Sequence, residues 1–153
     1  MATRHRSRKP RRDPLKSPSR AIFEDGQRLS DVARYAEAAD TYFVAADRAM
    51  EEGYPSYAAI YNDLAMAALV QDWLRHKFPQ RDSPPEIFRN DDNTPRGRPV
   101  YMASYGDDLL FVFHITRRHQ VVFDECRNER SGQLLRRAAC LPPSTRYWRV
   151  RSR

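Results

Sequence analysis

The chain has 153 residues, of which 41% are hydrophobic, and it carries a formal net charge of +7. This length allows one domain of ordinary size with tails. No run of about 18 apolar residues is present, which argues against a membrane-spanning helix, and no apolar stretch follows the N-terminal charges as it would in a secretory signal. We therefore expect a protein of the nucleus or cytoplasm that is not secreted and has no membrane partner.

The charge is concentrated at the two ends. Residues 1–20 contain eight Lys or Arg and one acid, the last twenty contain six Arg and no acid, and residues 21–133 contain 13 basic and 19 acidic groups. Basic segments attract polyphosphates, so the ends are predicted to bind nucleic acid. The predicted contacts are Arg4, Arg6, Arg8, Lys9, Arg11, Arg12, Arg149 and Arg151. The alternative is that the ends fold back on the acidic middle or only keep it in solution.

Two apolar patterns with helical spacing lie in residues 21–78. Ser30 is a suitable N-cap for a first helix that ends near Gly53, and Ser56 for a second helix from about Tyr57 to Lys77. Because the connection is short, the two helices are predicted to form an antiparallel hairpin. Residues 1–20 have almost no apolar content, so we expect a disordered arm there.

The stretch "YAEAADTYFVAADRAMEEGYPSYAAIYNDLAMAA" resembles one tetratricopeptide unit. Stacked repeats need about three units to bury their faces, and this one does not recur. We interpret it as a plain helical hairpin, with a protein–protein interaction adaptor as the alternative function.

A strand-like alternation begins at Val100, after a Pro-rich linker at residues 79–99. The runs "VYMASY" and "LLFVFHIT" flank a turn at Gly106–Asp107, and "QVVFDE" follows. The sheet is expected to bury Leu110, Val112, Phe111 or Phe113, Val122 and Phe123. A short helix near Asn128–Ala139 completes residues 100–140, and residues 141–153 form a basic tail. The prediction is an α+β fold in which an antiparallel helical hairpin packs on a small three-stranded antiparallel sheet, with disordered basic tails.

The segment "PRGRP", Pro95 to Pro99, resembles the core of an AT-hook. That resemblance implies an extended segment in the minor groove of A·T-rich DNA. Gly97 lets the backbone approach the groove floor, and Arg96 and Arg98 insert where a narrow groove concentrates negative potential. The alternative is a proline-bounded linker that happens to contain two arginines.

The segment "YGDD", Tyr105 to Asp108, resembles the catalytic hairpin of RNA-dependent polymerases, which implies Asp107 and Asp108 as metal-binding carboxylates. Two-metal chemistry requires a further carboxylate from another strand, and the later lysine of that family is missing. A Gly-Asp hairpin turn explains the segment without any catalytic role. We therefore keep a polymerase fragment only as an alternative.

The remaining candidate ligands do not make a site. His114, His119, Cys126 and Cys140 have no common zinc spacing, so we expect no metal and no cofactor. Two cysteines without an export signal are expected to be reduced thiols. In the tail, Tyr147 and Trp148 alternate with arginines, a pattern suited either to stacking on bases or to anchoring the tail.

The function that this sequence predicts is a non-enzymatic nucleic-acid-binding accessory protein, nuclear or viral, with DNA or RNA as its partner. The Arg-rich ends would neutralise phosphates, and Arg96, Gly97 and Arg98 would add contacts in an A·T minor groove. We also expect the folded middle of the chain to bind a protein partner.

Overall fold

A computed structural model describes residues 16–79, 85–90, 98–105 and 108–136. Within them the chain forms three helices, α1 Pro18–Asp31, α2 Tyr35–Glu51 and α3 Pro55–Lys77. Five strands follow: β1 Ile87–Asn90, β2 Val100–Tyr105, β3 Leu109–Ile115, β4 Val121–Asn128 and β5 Leu134–Leu135. They make one antiparallel sheet in chain order. The α+β class is confirmed, and α2 with α3 forms the predicted pair of helices.

The helical layer contains one helix more than the predicted hairpin. Ser17 caps α1 by accepting a hydrogen bond from the backbone N–H of Arg20, and Pro18 occupies the first helical position, where its missing N–H is harmless. Residues 18–20 therefore belong to a helix and not to a disordered arm. Ser30 lies in the last turn of α1 and is not an N-cap, because the chain reverses at Ala33, which has a φ of 61°. Residues 1–15 lie outside the described residues.

The core between the helices consists of small residues and a few aromatic rings. Eight alanines on α2 and α3 are buried, which allows close approach of the two helices. The ring of Phe23 on α1 stacks on that of Tyr61 at 4.8 Å between centroids. A Cβ atom at Gly26 would lie 2.6 Å from the ring of Tyr42, so this position on α1 admits only glycine without a shift.

A second core lies between α3 and the inner face of the sheet, defined as the face toward α3. Trp73 stacks on Phe123 at 5.6 Å between ring centroids and meets Phe113 edge-on at 5.0 Å. Val70 and Leu74 of α3 are buried in the same cluster. The helices therefore cover one face of the sheet, as expected, and α3 belongs to both cores.

The sheet has five strands and not three, because two short edge strands were missed. β1 lies in the predicted linker and pairs with β2, with Ile87 opposite Ala103. β5 lies where a short helix was predicted at Asn128–Ala139. There the side chain of Asn128 accepts the backbone N–H groups of Arg130 and Ser131, both at 3.0 Å. Gly132, with a φ of 70°, completes a turn that starts a strand. Residues 80–84, 91–97 and 137–153 lie outside the described residues.

The burial predictions for the strands are correct in part. Phe111, Phe113 and Phe123 are all buried on the inner face. Leu110, Val112 and Val122 are only partly buried, and Leu110 and Val112 lie on the opposite face, because neighbouring residues of a strand point to opposite faces.

Two further expectations concern the cysteines and the membrane. Cys126 is fully buried and disulfide-bonded, so the expected reduced thiol is wrong at this position. The sequence has one other cysteine, Cys140, outside the described residues. None of the helices that the structure describes is both long and apolar enough to cross a membrane.

Candidate nucleic-acid interface

One end of the sheet collects arginines from three parts of the chain. Val100 pairs with His114, so Arg98 lies just before β2 at the end where β3 turns into β4. The turn itself contributes Arg117 and Arg118, both exposed. On the helix side, Lys77 of α3 lines a depression of about 380 Å³ together with residues 119–121 after the turn. We call Lys77, Arg98, Arg117 and Arg118 the cationic end.

The arginines of this end differ from most others by having no carboxylate partner. In the described part of the chain, seven arginines form ion pairs with carboxylates: Arg20, Arg28, Arg34, Arg48, Arg89, Arg127 and Arg130. Arg98, Arg117 and Arg118 form none of the ion pairs among the described residues, and the same holds for Arg75 and Arg136, which lie elsewhere. Asp124 and Glu125, the carboxylates that line one depression with Arg98, bind His114 and Arg127 instead. The charge of the three arginines at this end therefore remains available to an anionic partner.

The opposite end of the sheet carries carboxylates. Asp108 forms an ion pair with Arg130 at 2.8 Å, and Glu129 accepts a hydrogen bond from Ser104 at 3.0 Å. Arg98, Arg117 and Arg118, which have no carboxylate partner among the described residues, thus lie at one end of the strands, whereas Asp108 at the other end is compensated by Arg130. A polyanion would be attracted to the first end.

The "YGDD" segment lies at this acidic end. Asp108 has a φ of 75° and is held by Arg130, while Gly106 and Asp107 lie outside the described residues. In the described ranges no group of three or more His, Cys, Asp or Glu is arranged to hold a metal ion. Two-metal chemistry would need a further carboxylate on another strand, and the upstream residues Asp25 and Asp31 both lie on α1 instead.

The turn of the cationic end is fixed to the helical layer. His119 has a φ of 58°, and its ring lies parallel to that of Phe43 on α2 at 4.1 Å between centroids. The N–H of His119 donates to the carbonyl of Thr116 at 2.9 Å. This stacking places Arg117 and Arg118 on a positioned turn and not on a free loop.

The sheet face away from α3, which we call the open face, has a depression of about 810 Å³ next to the cationic end. Its apolar floor is made by Val100, Met102, Leu110 and Val112. Polar groups surround this floor: Asn90, Arg98, His114, Asp124, Glu125 and Arg127. An apolar surface with a few converging polar groups is typical of a binding site.

Most of the residues predicted to bind nucleic acid lie outside the residues that the structure describes. These are Arg4, Arg6, Arg8, Lys9, Arg11, Arg12, Arg96, Gly97, Arg149 and Arg151. Arg98 is described, exposed, and lines the open-face depression. Of the four residues considered for zinc, the three that the structure describes lie apart: His119 stacks on Phe43, Cys126 is buried on the inner face, and His114 lies on the open face. Cys140 lies outside the described residues.

The prediction from sequence missed Arg117 and Arg118, although a signal was present. The segment "RRH" separates two apolar runs, so the position of the two arginines in an exposed turn could be predicted from the sequence. The contact between His114 and Asp124 could not be predicted, because it depends on the register between β3 and β4.

No family model matches the chain, and neither the curated proteins nor the solved structures provide a match.

Proposed function

We propose that the protein binds nucleic acid and that the cationic end is the part of the folded body that contacts phosphates. The observation that carries the proposal is the contrast between compensated and uncompensated arginines. Most described arginines are ion-paired on the helices and strands, whereas Arg98, Arg117 and Arg118 converge at one end without carboxylate partners. Guanidinium groups suit phosphate because their planar donors bind two oxygens at once.

The basic ends of the sequence support the same function. Residues 1–20 and the last twenty residues contain fourteen Lys or Arg and one acid. In this proposal they add affinity without sequence preference, while the cationic end fixes the orientation of the body. If Arg96 and Gly97 lie along a minor groove, Arg98 enters the same contact. A role of this kind belongs in the nucleus or the cytoplasm.

The test is a salt titration of binding to duplex DNA, single-stranded DNA and RNA. The variant Arg117→Ala/Arg118→Ala removes two uncompensated charges. We expect the slope of log affinity against log salt to become shallower by about 2 on duplex DNA and by somewhat less on single strands.

The matched control removes the same charge from paired positions. Arg28 and Arg34 are exposed and each forms an ion pair with a carboxylate three residues away, so Arg28→Ala/Arg34→Ala is expected to leave the slope nearly unchanged. Equal losses in both double variants would contradict the role of the cationic end. Deletion of residues 1–15, which stops before the Ser17 cap, tests the arm separately. Absence of any retention near physiological salt would contradict nucleic-acid binding and leave the protein-interaction adaptor as the explanation.

A further inference from the structure

A β-bulge places one extra carboxylate on the open face. β3 and β4 pair one to one up to Val112, which lies opposite Glu125, and then Phe113 pairs with Phe123. Asp124 is the extra residue that this change of register accommodates on β4. Because Phe123 is buried on the inner face, the bulge leaves both Asp124 and Glu125 on the open face. Bulges redirect side chains in this way and are frequent beside functional sites.

The redirected carboxylate holds His114. The ring nitrogen Nδ1 of His114 lies 2.7 Å and 2.8 Å from the two carboxylate oxygens of Asp124. This contact favours the tautomer in which Nδ1 carries the proton and Nε2 has a free lone pair. Among the described residues, Nε2 has no hydrogen-bond partner. Every buried side-chain nitrogen or oxygen in this part of the chain does have a partner, so Nε2 is not buried and is accessible to solvent.

The groups around this pair include cations but no protein nucleophile. Arg98 and Arg127 line the same depression, and Arg127 is held by Glu125 at 2.8 Å. Among the described residues that line it, none is Ser, Thr, Cys or Lys. A base at Nε2 would therefore act on a hydroxyl group of the ligand or on water.

The location connects this pair with the proposed phosphate contacts. His114 is three residues before Arg117 along β3 and the turn, a distance of roughly 10 Å in an extended chain. A strand of nucleic acid held by Arg117 and Arg118 would thus extend over the depression where Arg98 and His114 lie. The apolar floor at Met102, Leu110 and Val112 offers a surface for unpaired bases.

We propose that His114 and Asp124 form a catalytic pair that cleaves single-stranded RNA, an inference that rests on the proposed nucleic-acid binding. RNA carries its own nucleophile, the 2′-hydroxyl, beside each phosphodiester, and DNA does not. His114 Nε2 takes the 2′-hydroxyl proton as O2′ bonds to phosphorus. The bond from phosphorus to O5′ breaks, O5′ takes a proton from water, and His114 returns its proton to water.

The products are a 2′,3′-cyclic phosphate and a 5′-hydroxyl, and the phosphate carries one negative charge before and after the step. Arg98 stabilises the negative charge that develops on the phosphoryl oxygens. Asp124 is a positioning residue, since it orients the imidazole.

The experiment incubates the full chain with an RNA oligonucleotide and with DNA of the same sequence, in the presence of EDTA. Products are identified by mass spectrometry, and RNA retention is measured in parallel. We expect cleavage of the RNA only, with cyclic phosphate ends. His114→Gln is expected to lower the rate by a factor of about 10²–10⁴ while RNA retention persists. The matched control is His76→Gln, because His76 also lies beside a carboxylate, Asp72, but outside the open-face depression.

Asp124→Asn is the second variant. We expect a slower rate while RNA retention persists, because the imidazole loses the carboxylate that orients it, and we expect Asp124→Glu to restore part of the rate. A purely structural role of Asp124 would instead lower the rate and the RNA retention together. RNA that is retained but not cleaved would overturn the inference and leave the proposed binding function intact. Cleavage that survives His114→Gln would overturn it too. Failure to retain RNA while DNA is retained would overturn the inference alone, and failure to retain either would contradict both proposals.

Discussion

Tyr101 is the side chain through which α3 and the sheet share a partly buried polar contact. It is fully buried, and its hydroxyl donates to the carboxylate of Asp63 on α3, which also forms an ion pair with Arg89 at 3.7 Å. Burial, followed by the hydrogen bond to Asp63, raises the pKa of Tyr101 above its ordinary value. The folded state therefore favours the neutral phenol, whereas tyrosine in the unfolded chain titrates near its usual pKa of about 10.

The substitution Tyr101→Phe is expected to lower the free energy of unfolding by about 1–2 kcal/mol at neutral pH, because Asp63 loses a donor. The sign of the pH effect follows from the raised pKa. The contribution of Tyr101 is complete below pH of about 10 and declines as the pH rises toward the folded-state pKa. Between pH of about 9 and about 11 the wild type should therefore lose more stability than the variant.

Urea unfolding at a series of pH values measures both effects. The control is Tyr57→Phe, whose ring packs at the surface of the helical layer against Tyr54. A loss in the control as large as in Tyr101→Phe would refute a specific contribution of the bond to Asp63.

At the scale of elements, one buried carboxylate attaches α1 to the rest of the helical layer in addition to the apolar contacts of Phe23. Glu52 follows α2 directly, and its side chain is 8% exposed. It accepts hydrogen bonds from the backbone N–H and the hydroxyl of Ser19 at 3.1 Å and 2.8 Å, and it pairs with Arg48 at 3.3 Å. Hydrogen bonds to a buried charge are stronger than those between neutral groups.

Glu52→Ala is expected to destabilise the protein by about 2–3 kcal/mol, since it leaves the backbone N–H of Ser19 without its acceptor and removes a hydrogen bond of the Ser19 hydroxyl. The adjacent Glu51 is the matched control: its side chain is 68% exposed, and it pairs with the same Arg48. Glu51→Ala should cost less than about 0.5 kcal/mol. Chemical denaturation gives the two values, and hydrogen exchange should show the amides of α1 losing protection only in Glu52→Ala. Equal destabilisation by the two substitutions would contradict this attachment of α1.

At the scale of the whole molecule, α3 makes one folding unit of two cores. Its first half packs in the helical core through Ala58, Tyr61 and Ala65, and its second half packs against the sheet through Val70 and Leu74. Because neither core is complete without this helix, we expect both to unfold in one cooperative transition.

The measurement compares two probes of urea unfolding. Circular dichroism at a helical wavelength follows the helical layer, and tryptophan fluorescence follows Trp73 in the sheet core. The variant Trp148→Phe removes the second tryptophan of the chain, so that fluorescence reports on Trp73 alone. Coincident midpoints are expected, and two separated transitions would show that the cores are independent.

The sequence was sufficient to predict those helices and strands whose spacing of apolar residues repeats within a few residues. The spacing of apolar residues located the α2–α3 pair, because a helix repeats its buried face within one turn. The alternation of apolar and polar residues located β2, β3 and β4, because a strand repeats its buried face at every second residue. The uneven charge of the chain is also a property of the sequence alone, as is the Arg117–Arg118 pair between two apolar runs.

Tertiary structure decided everything that depends on pairing between distant residues. β1 and β5 are too short to have a pattern of their own and exist only through hydrogen bonds to β2 and β4. The bulge that brings Asp124 to His114 is a matter of register, and a shift of register by one residue reverses every side chain of a strand. Arg98 and Arg117 are far apart in the chain, and antiparallel pairing alone brings them to one end of the sheet. The sequence thus determined which residues are charged and which are apolar, while strand pairing determined which of them share a surface.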